Sequence, residues 1–263
     1  MVNMTPMSDM ETTLESIKFA YSDDDKKLFT DDQKRHWQNI ESMYPKLRAR
    51  CLPSIQLPQS GPHNKWVAAR VNLHATSSVM RLLYLTESFV DACLKFNAVT
   101  AAAHVKAMVE IPMHLGYLVW ILDTHSDFQE IRKELANIAW GERDARTGLT
   151  FRAKITQKVF YSRADEMIRK FFPEGRNINV FETIYKEANA IGHHNHESRN
   201  MLVGLMPHDT WQPKDRKEWF VFWSNNIFQF FLHCDAILGE SYMFLDAIDH
   251  YLGQMPEQMG ASR

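Results

Sequence analysis

Between residues 64 and 96 a helical pattern of apolar side chains runs through Val67, Val71, Leu73, Val79, Leu82, Leu83, Leu85, Phe89 and Val90, many of them three, four or seven residues apart. Such steps keep side chains on one face of a helix, because a turn takes about 3.6 residues. The spacing predicts one long helix over 64–96. A second is predicted over 99–123, where Met108, Ile111, Leu115, Leu118, Val119 and Leu122 leave little polar surface. A helix that is apolar nearly all round is a central one, buried by its neighbours. Shorter helices follow at 126–140, with Ser126 as N-cap, at 155–172, stopping at Pro173 and Gly175, and at 180–191. The last pattern, 214–252, is long and carries Trp219, Phe220, Phe222, Trp223, Phe228, Phe230 and Phe231. No pair of alternating segments joined by a tight-turn dipeptide predicts a hairpin. The expected fold class is therefore all-α: a multi-helix bundle with long helices 64–96, 99–123 and 216–252 at its centre.

The first fifty residues read differently. They form a polar leader (1–50) in which Asp31 and Asp32 cap a helix through Trp37, Ile40 and Met43 that ends near Pro45. Residues 51–63 hold three prolines and a glycine and read as a linker, so the bundle domain is placed at 64–263. Composition agrees with helices: over 263 residues there are only 10 Gly and 10 Pro, against 16 Phe, 14 Met and 7 Trp. A formal charge of −2 exerts no global pull on nucleic acid or anionic membrane. Cys51, Cys93 and Cys234 are too few and too scattered for a disulfide framework, which points to reducing cytoplasm. The start lacks the pattern of a signal peptide. The most apolar stretch, 107–122, reads as too short to span a membrane and carries Glu110 and His114.

Polar residues four apart mark two helix faces. One carries Lys106, Glu110 and His114; the other carries Tyr185, Asn189 and His193. A carboxylate and an imidazole on an otherwise apolar helix need partners, because an unpaired buried charge is costly. The bland alternative is an i,i+4 ladder on a solvated face. After Gly192 comes a cluster of His193, His194, His196, Glu197 and Arg199. Imidazoles in that density permit zinc, iron, nickel or copper, although His-Glu-x-x-His and the ferritin-like Glu-x-x-His are both missing. His233, in the aromatic helix, is a further candidate to complete a site. Phosphate-cradling glycine loops and the Gly-x-Ser-x-Gly elbow are absent, so no motif names a cofactor. Residues 142–178 hold nine Lys/Arg against five Asp/Glu, a local asymmetry suited to a phosphate backbone.

Two of these pieces resemble a known group. Lys106-x-x-x-Glu110 followed by Tyr117-Leu118, and later Tyr185-x-x-x-Asn189-x-x-x-His193, are similar to motifs of bacterial all-helical proteins, some found in phage-defence settings. That group is distantly like the HEPN superfamily of helical nucleases and toxins. Two positions depart: Lys106 stands where Arg is usual, and Asn189 where Ser is usual. The HEPN ribonuclease signature, Arg then four to six residues then His, is not met by Arg70 and His74 or by Arg199 and His208. The resemblance implies a cytoplasmic protein that binds or acts on nucleic acid or a nucleotide, in defence or stress. Glu110, His193, Tyr185, Asn189 and Lys106 are the expected catalytic set, with His114, His196, Arg199 and His233 as binding residues. In RNA cleavage His193 would be the general acid/base, and Lys106 or Arg199 would stabilise developing charge. A non-enzymatic helical module, as homodimer or complex subunit, is the alternative, and a histidine-based metal protein a further one.

Overall fold

The computed structural model describes residues 15–58, 60–140, 142–143, 150–152, 155–173, 179–192, 203–206, 210–213, 215–226 and 228–257. Among them the chain forms helices α1 (Asp23–Lys26), α2 (Asp31–Arg48), α3 (His63–Leu94), α4 (Ala98–Thr124), α5 (Phe128–Trp140), α6 (Gln157–Phe171), α7 (Val180–Gly192), α8 (Arg216–Asn226) and α9 (Phe230–Gln254). The fold is an all-α bundle. α4 is its axis: α3, α6, α7 and α9 all pack on it. By length and composition α4 could cross a membrane, which corrects the expectation that this stretch is too short. Yet 72% of its most apolar window is buried inside the bundle.

Two short antiparallel hairpins were not expected. β1 (Glu142–Arg143) pairs with β2 (Thr150–Arg152), and β3 (Val203–Met206) with β4 (Thr210–Pro213). Strands of two to four residues are too short to show alternation, and Val-Gly-Leu-Met does not alternate at all.

Helix ends follow local chemistry more finely than composition suggests. α2 begins with a capping box, not with Asp31-Asp32: Thr30 Oγ1 accepts from Gln33 N at 3.3 Å, and Gln33 Oε1 accepts from Thr30 N at 3.0 Å. The helix continues through Pro45 to Arg48. Asp127, not Ser126, opens α5, its Oδ1 accepting from Gln129 N and Glu130 N at 2.9 and 3.1 Å. The helix expected over 214–252 is two: α8 ends at Asn226 and α9 begins at Phe230. Asn226 Nδ2 donates to Phe222 O at 3.0 Å, so a side chain competes with the helical ladder where Ser224, Asn225 and Asn226 follow one another. α3 turns into α4 through Phe96, a non-glycine residue at φ 52°. Its ring packs on Tyr21 and Phe220, at 5.4 and 5.8 Å between centroids, which offsets the roughly 1 kcal/mol cost of that backbone.

The described part of the leader lies in the same core as the bundle. Ile17, Phe19, Tyr21, Phe29, Trp37, Ile40, Tyr44 and Leu47 are buried in one continuous cluster with α3, α4 and α9. Phe19, Phe29 and Trp37 surround Phe231 at 5.3, 5.7 and 6.0 Å. Beyond Arg48 the chain stays tied to α9, with Arg50 paired to Asp246 and, at 2.7 Å, to Asp249.

Candidate functional site

α3 and α4 form an antiparallel hairpin, and the i,i+4 stripe on each meets the other. On α3 the stripe is Trp66, Arg70 and His74, continued by Arg81; on α4 it is Lys106, Glu110 and His114. Arg81 Nη2 lies 3.6 Å from Glu110 Oε2, with side-chain exposures of 52% and 21%. The carboxylate is the more buried partner. Burial raises its pKa above the ordinary carboxylate range, and the charges of Arg81 and Lys106 pull it part-way back. Protonation of Glu110 is thus favoured by its surroundings more than for an exposed glutamate.

His114 is the deepest polar group of the seam. Its ring lies 4.2 Å from that of Phe160 on α6, and burial pushes its pKa down to about 4, helped by the Arg81 and His74 charges. It is neutral at neutral pH. Its Nε2 is buried and has no hydrogen-bond partner among the described residues. The same holds for Arg70 Nε, whose guanidinium carbon sits 5.3 Å from the Trp66 ring centre. His74 links the two: burial lowers its pKa, and the positive charge of Arg70 lowers it further. Two orphaned nitrogens therefore lie on a helix pair whose facing stripes also carry Arg81 and Glu110.

α7 closes the other flank of Glu110. Asp165 on α6 is buried and accepts from Phe181 N and Glu182 N, at 2.9 and 3.2 Å, which anchors the first turn of α7. This places Tyr185, whose ring is 6.0 Å from that of Tyr161. Burial raises the Tyr185 pKa, then the negative charge of Glu110, then Tyr161. Asn189 follows one turn later on α7, half-buried.

Of the residues expected from sequence, Lys106 and Tyr185 lie within reach of the Glu110 charge, and His114 shares the influence of Arg81 with it, with Asn189 one turn beyond Tyr185. His193, His196 and Arg199 lie outside the described residues. His233 does not join them. Its Nε2 is 3.5 Å from Glu187 Oε2 and its ring 4.6 Å from that of Phe228. Glu187 stands two residues from Tyr185, ~200° round the helix, so His233 meets the opposite side of α7. Burial alone pushes its pKa down to about 4, the signature of a core imidazole. The basic face of α6 is largely committed: Arg163 pairs with Glu166 and lies over Trp120, Lys170 pairs with Asp123, and Arg169 donates to Asn179. Among the described residues no group of three or more His, Cys, Asp or Glu is arranged to hold a metal.

Sequence reasoning missed Arg70, His74, Arg81 and Tyr161. The signal for two of them lies in the sequence. Arg70-x-x-x-His74 repeats the four-residue step of Lys106-x-x-x-Glu110, and only the partner helix was lacking to read it. Comparison with protein-family models, curated proteins and solved structures gives no match.

Proposed function

We propose that the α3–α4–α7 seam binds a phosphate-bearing ligand, a nucleotide or a segment of nucleic acid. The observation that carries this reading is the pair of buried nitrogens without partners among the described residues, Arg70 Nε and His114 Nε2, beside the positive charges of Arg70 and Arg81. A buried donor left unsatisfied costs on the order of 1–3 kcal/mol. An anionic oxygen entering the seam would offset that cost at Arg70 and would also favour a proton on His114. Arg81, half-exposed at the rim and 3.6 Å from Glu110, supplies a planar fork suited to phosphate. Glu110 and Tyr185 then offer an acceptor and a hydroxyl to the sugar or base. The likeness of the Lys106/Glu110 and Tyr185/Asn189 stripes to helical nucleases and toxins favours nucleic acid within this class. α7 ends at Gly192, immediately before His193, which is the proposed general acid/base if bound RNA is cleaved.

The test is fluorescence anisotropy with a short labelled single-stranded RNA across a salt series. Arg70→Gln and Arg81→Gln each should weaken binding about tenfold and lower the log–log salt slope by about one. Affinity and slope equal to wild type in both variants would remove the seam from the binding surface.

A further inference from the structure

A cleft of about 260 Å³ opens between the first turn of α2 and the corner where α8 meets α9. Its elements and residues are not those of the α3–α4 seam. It is lined by Asp32, Gln33, His36, Ser224, Asn225 and Phe231, among others. Gln33 is 7% exposed and Ser224 2%, and among the described residues neither Gln33 Nε2 nor Ser224 Oγ has a hydrogen-bond partner; Asn225 Oδ1 is likewise buried without one. Polar atoms this deep are nearly always paired.

The orientation of Gln33 is dictated by the capping box. Its Oε1 accepts from Thr30 N at 3.0 Å, so the amide cannot be flipped without losing the cap, and Nε2 is the end left over. His36 is fixed in a comparable way. Its Nδ1 lies 2.7 Å from Asp235 Oδ2, an oxygen that also accepts from Asn39 Nδ2 at 2.9 Å. A carboxylate accepts only, so Nδ1 carries the proton and Nε2 is the remaining polar atom of the ring. The lining residues thus include an amide donor, an amide acceptor and a hydroxyl, each buried without a partner among the described residues, beside His36 and the Phe231 ring.

That set selects a ligand chemistry. A donor at Gln33 asks for an acceptor on the ligand, and the acceptor at Asn225 asks for a donor. Charge narrows it further. Asp32 lines the cleft, and the adjoining groove carries Asp24, Asp215 and Glu218, while its Lys217 is already held by Asp25. An anion is disfavoured here, whereas a purely cationic donor such as a guanidinium would leave Gln33 Nε2 unmatched. One water occupies about 30 Å³ of liquid, so a single water would leave the cleft nearly empty. The volume lies just under the ~300 Å³ at which drug-sized pockets begin, which suits a single ring.

We propose that this cleft is a second binding site, for a small uncharged aromatic molecule bearing a primary carboxamide or lactam. Benzamide is a suitable probe and benzoate its charged control. In the full chain, millimolar benzamide should shift the side-chain amide ¹H–¹⁵N signals of Gln33 and Asn225, and benzoate should not. Gln33→Glu retains the capping-box acceptor but turns the donor into an acceptor. It should leave thermal unfolding near wild type and weaken benzamide about tenfold or more. Should Gln33→Glu unfold, Ser224→Ala gives the second reading and should weaken binding several-fold. No shift with millimolar benzamide, equal response to benzoate, or unchanged affinity in the variants would overturn the site and leave a cleft that holds water only.

Discussion

His114 and His233 are buried as neutral imidazoles, each with its pKa pushed down to about 4 from an ordinary 6.5. Between those values the unfolded chain takes up protons that the folded chain refuses. The stability they confer is therefore complete above pH ~6.5 and is lost as the pH falls toward 4, by at most roughly 3 kcal/mol for each histidine. Urea unfolding over this range should show His114→Gln with a shallower pH dependence than wild type, by close to one proton. An unchanged slope would mean that His114 titrates normally. Glu110 works in the opposite sense. Its folded pKa is raised, so the protonated carboxyl stabilises the fold at low pH and that contribution fades as pH rises through the folded pKa. Glu110→Gln should accordingly gain on wild type as the pH rises from ~4 to ~7, read as the difference between their melting temperatures. A difference independent of pH would refute the assignment. Both residues were legible as oddities, polar groups on an apolar helix, but their partners on α3 were not. A four-residue step shows which residues share a face and says nothing about which helix that face meets.

Close helix packing rests on Gly116 in α4. A Cβ there would sit 2.7 Å from Ala164 Cβ, 2.9 Å from Ala164 Cα and 2.9 Å from Phe244 Cζ, against α6 and α9 at once. Gly116→Ala should cost about 1–3 kcal/mol through overpacking, despite alanine's better helix propensity, as a lower urea midpoint at unchanged m-value. Asp165 tests a different joint. Asp165→Ala removes the anchor of α7 without touching the seam, and should reduce both stability and RNA affinity while leaving the salt slope intact, because no phosphate contact is lost. A changed slope would place Asp165 in the binding surface itself. The long helices were readable from their apolar periods: α4 buries every residue its pattern names, and α3 all but Leu73, which is exposed, and Leu85, which is half-buried. Their ends were less so. Thr30 and Asp127 compete with equally good neighbours for the cap, and Pro45, three residues from the end of α2, does not terminate it. Where α8 ends, the Asn226 side chain bonds back to Phe222 O, which no hydrophobic pattern records.

On the scale of the molecule, the leader and the bundle share one core. Trp37, Ile40, Tyr44 and Leu47 have the helical spacing of a buried face, but the polar residues around them and the prolines after them read as a separate segment. Removing residues 1–50 would uncover Phe231 and its aromatic surround. The truncated chain should lose cooperative thermal unfolding and bind a hydrophobic dye; a sharp transition near the wild-type temperature would show the bundle to be self-sufficient. Ligand binding at the α3–α4–α7 seam is tested most directly by the ring ¹⁵N signals of His114, followed against pH with and without a nucleoside monophosphate. A phosphate beside Nε2 stabilises the imidazolium, so the bound form should titrate well above the value of about 4 expected for the free protein. A titration curve that the nucleotide leaves unmoved, at concentrations where binding is otherwise detected, would place the ligand elsewhere and contradict the seam as its site.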